Sequence, residues 1–76
     1  MNKVKVLLIG AAFSADLHAD GYSRCTDIAE IVAICDKDLG RVKDLADRYG
    51  FKNYATYDDM FKAIDEVECD VVDICL

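Results

Sequence analysis

Short apolar runs alternate along this chain with stretches in which apolar residues recur at helical spacing. Residues 4–9, 31–35 and 71–76 form nearly continuous runs of β-branched residues and leucine, which is typical of strands buried on both faces of a sheet. A shorter and weaker run at residues 54–56 fits a strand at a sheet edge. The alternation of strands and helices predicts an α/β fold with a parallel sheet.

The three stretches between the strands predict helices over residues 14–27, 39–49 and 59–67. Each carries apolar or small residues at spacings of three and four, which would face the sheet. In chain order these predicted inward positions are Leu17, Gly21, Cys25 and Ile28, then Leu39, Val42, Ala46 and Tyr49, then Met60, Phe61, Ile64 and Val67. Gly21 would let the first helix approach the sheet closely.

Polar residues at the helix ends predict where the second and third helices begin and end. Asp38 and Asp58 are the predicted N-cap residues, and Gly50 is the predicted left-handed residue after the second helix. Asp44 and Arg48 have the spacing of an ion pair on the outer face of that helix.

The predicted element order is β-α-β-α-β-α-β within one domain. Right-handed crossovers then give the strand order 3-2-1-4, a Rossmann-like but incomplete doubly wound sheet. Its fourth strand would have no neighbour on its outer side, so we expect self-association or marginal stability.

Composition and charge narrow the classes of partner. The chain carries fifteen acidic and nine basic side chains, a net charge of −6, which disfavours nucleic acid and anionic membranes as partners. No apolar run is long enough to span a bilayer and no signal-peptide pattern is present, so a cytoplasmic location is expected. The four cysteines form no C-x-x-C pair and are expected to be free thiols without a bound metal; they are Cys25, Cys35, Cys69 and Cys75.

The segment from Gly10 to Ala15 lies directly between the first strand and the first helix. This is where the turn of a G-x-G-x-x-G/A pattern places a dinucleotide's pyrophosphate on the free N–H groups of a helix N-terminus. Gly10 fits the first position of the pattern and Ala15 the third. Ala12 occupies the second position, where glycine is usual, so its methyl group is expected to shift the turn or push the cofactor outward.

Asp36 stands at the end of the second strand, about 20 residues after Ala15, where a carboxylate binds the ribose hydroxyls of the adenosine. The negative charge of Asp36 would repel a 2′-phosphate, which favours NAD over NADP. Lys37 and Arg41 lie close by and leave NADP possible. His18 is the only histidine; its place one turn into the first helix favours a structural role, packed with Tyr22, over proton transfer.

Taken in order, these features resemble the N-terminal part of the glucose–fructose oxidoreductase, inositol dehydrogenase and rhizopine-catabolism family (Gfo/Idh/MocA). The resemblance rests on the glycine turn, His18, the strand ending in Asp36, the Tyr49-Gly50 helix end, and the segments at residues 54–60 and 69–76. It covers essentially the whole chain and implies oxidation of a sugar or cyclitol hydroxyl by hydride transfer to a nicotinamide.

The resemblance also implies which residues contact the cofactor. The pyrophosphate would lie on the glycine turn, the ribose on Asp36, the adenosine near the two basic residues, and the nicotinamide near the end of the fourth strand. The implied cofactor-binding residues are Gly10, Ala12, Phe13, Ser14, Ala15, Asp36, Lys37, Arg41, Cys75 and Leu76.

No catalytic residue is expected within these 76 residues. The family's catalytic lysine belongs to a Glu-Lys-Pro segment, and this sequence contains no proline. The domain that holds substrate and forms oligomer contacts is likewise expected to be absent, so the chain alone should be inactive. A non-catalytic nucleotide-binding module remains an alternative, as do, at lower rank, an S-adenosylmethionine-dependent methyltransferase and a flavodoxin-like or receiver domain.

Overall fold

The computed structural model describes residues 2–76 and contains four strands and three helices. In chain order they are β1 (Val4–Ile9), α1 (Phe13–Ser23), β2 (Ala29–Cys35), α2 (Leu39–Tyr49), β3 (Ala55–Tyr57), α3 (Met60–Glu66) and β4 (Val71–Ile74). The strands form one parallel sheet in the order β3-β2-β1-β4. This confirms the predicted strand order, with β3 at one edge and β4 at the other.

The core lies on both faces of β1 and β2. Val6 to Ile9 of β1 are at most 2% exposed, because parallel strands covered by helices are buried on both sides. One core cluster joins alternate residues of the sheet to α1 and α2, and the other joins the remaining residues to α3. An irregularity in the register of β1 and β2 between Val6 and Leu7 places Ile31 and Ile34 on the same face.

The predicted inward stripe of α1 is wrong. Leu17 is 65% exposed and Ile28, which lies beyond the helix, is 51% exposed. The buried residues of α1 are instead Ala15 and Ala19, whose small side chains let the helix lie close to the sheet. Gly21 is exposed and would have open space around an added Cβ, so it does not mediate that approach. The helix also ends at Ser23, four residues earlier than predicted.

Two predicted inward residues of α3 are also wrong. Phe61 is 77% exposed and Ile64 is 46% exposed, whereas Ala63 is fully buried. Met60 and Val67 do pack against the core on this side of the sheet. A helix of seven residues makes only two turns. Ala63, with Met60 and Val67 at the two ends, is therefore enough to cover the sheet. Phe61 and Ile64 point outward.

Caps define the starts of α2 and α3. The Asp38 carboxylate accepts hydrogen bonds from the N–H groups of Gly40 and Arg41, and Gly50 adopts the left-handed conformation with φ of 73°, as predicted. The N-cap of α3 is Asp59, which accepts from the N–H groups at positions 61 and 62; the prediction of Asp58 was off by one residue.

The buried face of α2 consists of Val42, Leu45 and Ala46. Leu39, the first residue of the helix, is 46% exposed, in contrast to the prediction. The predicted pairing of Arg48 with Asp44 is also wrong, since Arg48 forms its ion pair with Asp16 of α1. Within residues 2–76, no helix has the length and apolar character needed to cross a membrane.

Candidate cofactor-binding site

The turn after β1 requires glycine. Gly10 has φ of 103°, a left-handed conformation that side chains disfavour. A Cβ at this position would collide with the backbone carbonyl oxygen of Cys75, at the end of β4. The Gly10 N–H donates to the carbonyl of Cys35, 2.7 Å away. The turn is therefore fixed between the ends of β2 and β4, as expected for the first glycine of a dinucleotide-binding turn.

The N-terminus of α1 is open. Ala12 is its N-cap residue, and among residues 2–76 no side chain caps this helix, whereas aspartates cap α2 and α3. The N–H groups of Phe13 and Ser14 thus lack helical partners and lie at exposed residues. Ala15 is fully buried, so a small residue at this position lets α1 lie close to the sheet.

Ala12 is accommodated without strain in the turn. Its backbone is extended, with φ of −94°, a conformation open to any residue. Alanine therefore does not distort the turn itself. That the methyl group of Ala12 pushes a bound pyrophosphate outward remains a prediction.

Asp36 connects the end of β2 to the glycine turn. One oxygen of its carboxylate accepts a hydrogen bond from the Ala11 N–H at 2.8 Å, and the other accepts from the Asp38 N–H at 2.8 Å. Each oxygen of a carboxylate accepts about two hydrogen bonds, so both oxygens keep capacity for ribose hydroxyls. The two backbone donors hold the carboxylate beside the turn before any ligand binds.

An open cleft of about 720 Å³ lies at the carboxyl ends of the strands. Four of the residues predicted from the sequence line it, namely Asp36, Lys37, Arg41 and Leu76. Six lining residues were missed: Ile9, Cys35, Asp58, Asp59, Met60 and Phe61. Four of them, Ile9, Cys35, Asp58 and Asp59, lie at or just after the end of a strand, where the rule that ligands bind beyond the carboxyl ends of parallel strands would have found them. Met60 and Phe61 are the first residues of α3.

The two basic residues of the cleft, Lys37 and Arg41, form few ion pairs. The Arg41 Nε lies 3.7 Å from a carboxylate oxygen of Asp38, an exposed pair that adds little stability. Lys37 forms no ion pair with any residue of the described chain.

Burial, reinforced by the charge of Asp36, raises the pKa of the Cys35 thiol, so this thiol stays protonated at neutral pH.

The two residues predicted near the nicotinamide have different surroundings. Leu76 is 84% exposed and lies in the same cleft as Asp36. Cys75 is buried in the core on the α1 side of the sheet. Burial, together with the charge of Asp73, raises the pKa of the Cys75 thiol to about 11, so the neutral thiol is favoured. The thiols of all four cysteines form no disulfide bond in the structure.

A second open cavity, of about 640 Å³, lies at the other end of the strands. It is lined by residues near the amino ends of the strands, including Lys5, Glu30 and Asp70. The Asp70 carboxylate already accepts a hydrogen bond from the Lys5 N–H. This cavity contains none of the predicted cofactor-binding residues.

His18 lies on the surface of α1 and contacts β4 through Asp73. Its Nδ1 is 2.7 Å from a carboxylate oxygen of Asp73, and the Tyr22 hydroxyl donates to the same oxygen at 2.7 Å. The Cys75 thiol donates to the other oxygen at 3.5 Å. The ligand atoms of His18, Asp73 and Cys75 lie within 4.8 Å of one another but are used in these hydrogen bonds. The absence of a metal site remains a prediction.

Comparison with known proteins decides the family. Residues 4–76 match the model of the Gfo/Idh/MocA oxidoreductase family, described as an NAD-binding Rossmann fold. The chain belongs to this family.

Curated and solved relatives agree with this membership. D-glucoside 3-dehydrogenase of Escherichia coli K12 is 38% identical over 73 residues, which cover 95% of this chain and 20% of that protein. An oxidoreductase from Agrobacterium radiobacter, crystallised with NAD+, L-tartaric acid and magnesium, is 32% identical with a TM-score of 0.79, over 96% of this chain and 20% of its own. The myo-inositol dehydrogenase of Lactobacillus casei, in complex with NAD(H) and myo-inositol, is 25% identical with a TM-score of 0.83, over 96% and 21%.

Membership in the Gfo/Idh/MocA family has two consequences. The cofactor of the fold is NAD, as predicted, and the methyltransferase and receiver-domain alternatives are excluded. The chain spans about a fifth of the length of the curated relative it matches, and residues 4–76 correspond to the family's NAD-binding Rossmann fold.

Proposed function

We propose that this chain is the NAD-binding part of an oxidoreductase that oxidises a hydroxyl group of a sugar or cyclitol. The chain would hold the cofactor without performing the reaction alone, as a binding module does. Bound NAD supplies the carbon that accepts the hydride. The proposal rests above all on one observation: the Asp36 carboxylate is fixed beside the Gly10 turn by the Ala11 N–H.

The pyrophosphate is proposed to lie on the glycine turn and the first turn of α1. Uncapped N–H groups at a helix N-terminus stabilise an anion through hydrogen bonds and the helix dipole. The net charge of −6 provides no general attraction for phosphate, so this local geometry would carry the binding. The proposed contacts are Gly10, Ala12, Phe13, Ser14 and Ala15.

The adenosine is proposed to lie in the cleft beyond β2. Both Asp36 oxygens would accept hydrogen bonds from the ribose hydroxyls, with Lys37 and Arg41 flanking the adenosine. Leu76 lines the same cleft. Cys75 would act through its backbone, which lies against Gly10, because its side chain is buried on the α1 side.

The substrate class is proposed from the relatives. One relative is named for a glucoside and another was crystallised with myo-inositol, and both compounds carry secondary hydroxyl groups on a ring. Oxidation of such a hydroxyl needs a positioned group that takes up its proton. The residues for this step are proposed to lie in a domain other than the one these 76 residues form.

Titration of the chain with NADH and NADPH, followed by nicotinamide fluorescence, tests the proposal. We expect saturable binding with NADH preferred, because the Asp36 carboxylate binds the ribose and repels a 2′-phosphate. Asp36→Asn keeps one acceptor oxygen but removes the charge, so it should weaken NADH binding by roughly tenfold. It should also narrow or reverse the preference for NADH over NADPH.

Asp44→Asn is the matched control for this titration. Asp44 is an exposed carboxylate of α2 that accepts no side-chain hydrogen bond within residues 2–76. Its replacement makes the same change in net charge away from the cleft and should leave both affinities unchanged. Absence of saturable NADH binding would refute the proposed cofactor role. Equal loss in both variants would show that Asp36 acts only through the overall charge.

A further inference from the structure

The helix that carries the proposed phosphate site has little apolar anchorage. Of the eleven residues of α1, Ala15 and Ala19 are fully buried and Tyr22 packs partly buried against the core, whereas Leu17 is largely exposed. Two methyl groups and one partly buried ring bury little apolar area for a helix of this length. Polar contacts therefore contribute to the position of α1.

On one side, polar contacts connect α1 to α2. The Asp16 carboxylate pairs with Arg48 and accepts a hydrogen bond from the Tyr49 hydroxyl at 2.8 Å. These bonds restrain the first turn of α1 relative to α2. They do not restrain it relative to β4, on the other side of the helix.

On that other side, a single carboxylate connects α1 to β4. One Asp73 oxygen accepts the hydrogen bond of Tyr22, and it also lies 2.7 Å from the Nδ1 of His18, one turn earlier along the helix. The side chain of Asp73 is 16% exposed, while that of His18 is 47% exposed. Asp73 therefore holds two successive turns of α1 from a largely buried position.

This contact lies close to both halves of the proposed cofactor site. His18 lies one helical turn after Ser14, whose N–H is proposed to contact phosphate. Asp73 lies two residues before Cys75, whose carbonyl group lies against Gly10. The hydrogen bond between His18 and Asp73 thus joins α1, which follows the turn that would receive the pyrophosphate, to β4, whose end lies against that turn.

We infer that His18 and Asp73 are positioning residues for the cofactor, which fix the open first turn of α1 against the end of β4. The inference rests on the proposed function, because it assigns these residues to the same site. Neither residue touches the cofactor; they act through the orientation of the N–H groups at the start of α1. Loss of the His18 bond leaves the hydrogen bond of Tyr22, one turn further from the open end of α1, as the contact with Asp73.

Substitutions of His18 test this role in the 76-residue chain. His18→Ala removes the bond and should weaken NADH binding by about fivefold or more, the size typical of coupling between linked sites. His18→Asn should restore most of the affinity, because the side-chain nitrogen of asparagine lies at the same distance from the backbone as the Nδ1. Leu17→Ala, on the neighbouring exposed position, is the control and should bind like the original chain.

Two readouts separate positioning from simple stabilisation. NADH affinity is measured at a temperature at which circular dichroism shows every variant to be folded. The backbone amide NMR signals of residues 12–15 are recorded without cofactor, and these should move in His18→Ala but not in the control. A lower melting temperature in His18→Ala with unchanged affinity and unchanged amide signals would overturn the inference.

The same experiment separates this inference from the proposed function. If the original chain fails to bind NADH, the proposed function is refuted, and the amide signals still decide whether His18 orients the first turn of α1. Signals that stay in place in His18→Ala would then overturn the positioning role. Signals that move, and return in His18→Asn, would support it.

Discussion

Gly10 and Gly21 occupy opposite environments, although both border α1. Gly10 combines a left-handed backbone with direct contact to the Cys75 carbonyl, whereas Gly21 lies in an exposed helix interior with open space around it. Glycine is thus required at one position and costs stability at the other, because glycine in a helix is less favourable than alanine by roughly 0.5–1 kcal/mol.

We therefore predict opposite effects of replacing each glycine by alanine. Gly10→Ala should lower the free energy of unfolding by at least about 1–2 kcal/mol, from the left-handed backbone alone, and should abolish NADH binding by displacing the turn. Gly21→Ala should raise the free energy of unfolding by roughly 0.5–1 kcal/mol. Urea denaturation followed by circular dichroism measures both. Equal stability of the two variants would contradict the structure of the turn.

At the residue scale, the sequence predicts the positions that the backbone dictates. Gly10 lies in a tight turn, Ala15 in a close helix contact and Asp36 at a strand end, as the sequence predicts, because each of these places restricts the residue type; their contacts with a cofactor stay predictions. The bond between His18 and Asp73 was not predicted, since it joins residues 55 positions apart and depends on how α1 lies over β4. Its only signal in the sequence was a histidine one turn into the helix.

At the scale of elements, the predicted bounds and faces of the helices were right where the local sequence signals were strong. The predicted bounds of α2 are those observed, because Asp38, Gly50 and a clear amphipathic pattern act together. The predicted inward face of α1 was wrong, and that of α3 was wrong at Phe61 and Ile64, because both helices pack through alanines. Hydrophobic periodicity gives weight to large side chains, and it fails where close packing requires small ones.

Two carboxylates that tie α1 to its neighbours make these contacts sensitive to acid. Hydrogen bonds from Tyr49, together with Arg48, lower the pKa of Asp16. Burial would raise the pKa of Asp73, but the hydrogen bonds from His18 and Tyr22 outweigh it and the pKa is lowered. Both contacts therefore favour the charged form of the carboxylate.

We predict that the chain loses stability in acid through these groups. Their pKa values in the folded chain lie below the ordinary value of 3.8, so the unfolded chain takes up protons first as the pH falls. The stabilisation is complete well above pH 3.8 and is lost as the pH drops through the folded pKa. Melting temperatures measured between pH 6 and about pH 2.5, across the ordinary range of carboxyl groups, should fall less steeply for Asp73→Asn than for the original chain. Asp44→Asn should follow the original chain, and an identical slope in all three would refute the role of Asp73.

At the scale of the whole molecule, the sheet is unevenly covered. The centre of the sheet is buried on both faces, but Val72 is 40% exposed and Ile74 is 56% exposed. Alternation along a strand puts these two residues on the face opposite Asp73 and Cys75, the face that α3 covers only in part. The outer edge of β4 pairs with no other strand among residues 2–76. The predicted burial of the fourth strand on both faces is therefore wrong.

An apolar strand with an unpaired edge favours pairing with another chain, so we predict that this chain self-associates as its concentration rises. Analytical ultracentrifugation over a concentration series should show species larger than the monomer. Val72→Lys places a charge on the uncovered face of β4 and should shift the equilibrium towards the monomer, because lysine at an edge strand opposes such pairing. Ile28→Lys is the matched control, since Ile28 is 51% exposed but lies in the connection before β2, and it should associate like the original chain. Association that both substitutions weaken equally would point to general apolar contact, and a chain that stays monomeric at every concentration would contradict the prediction.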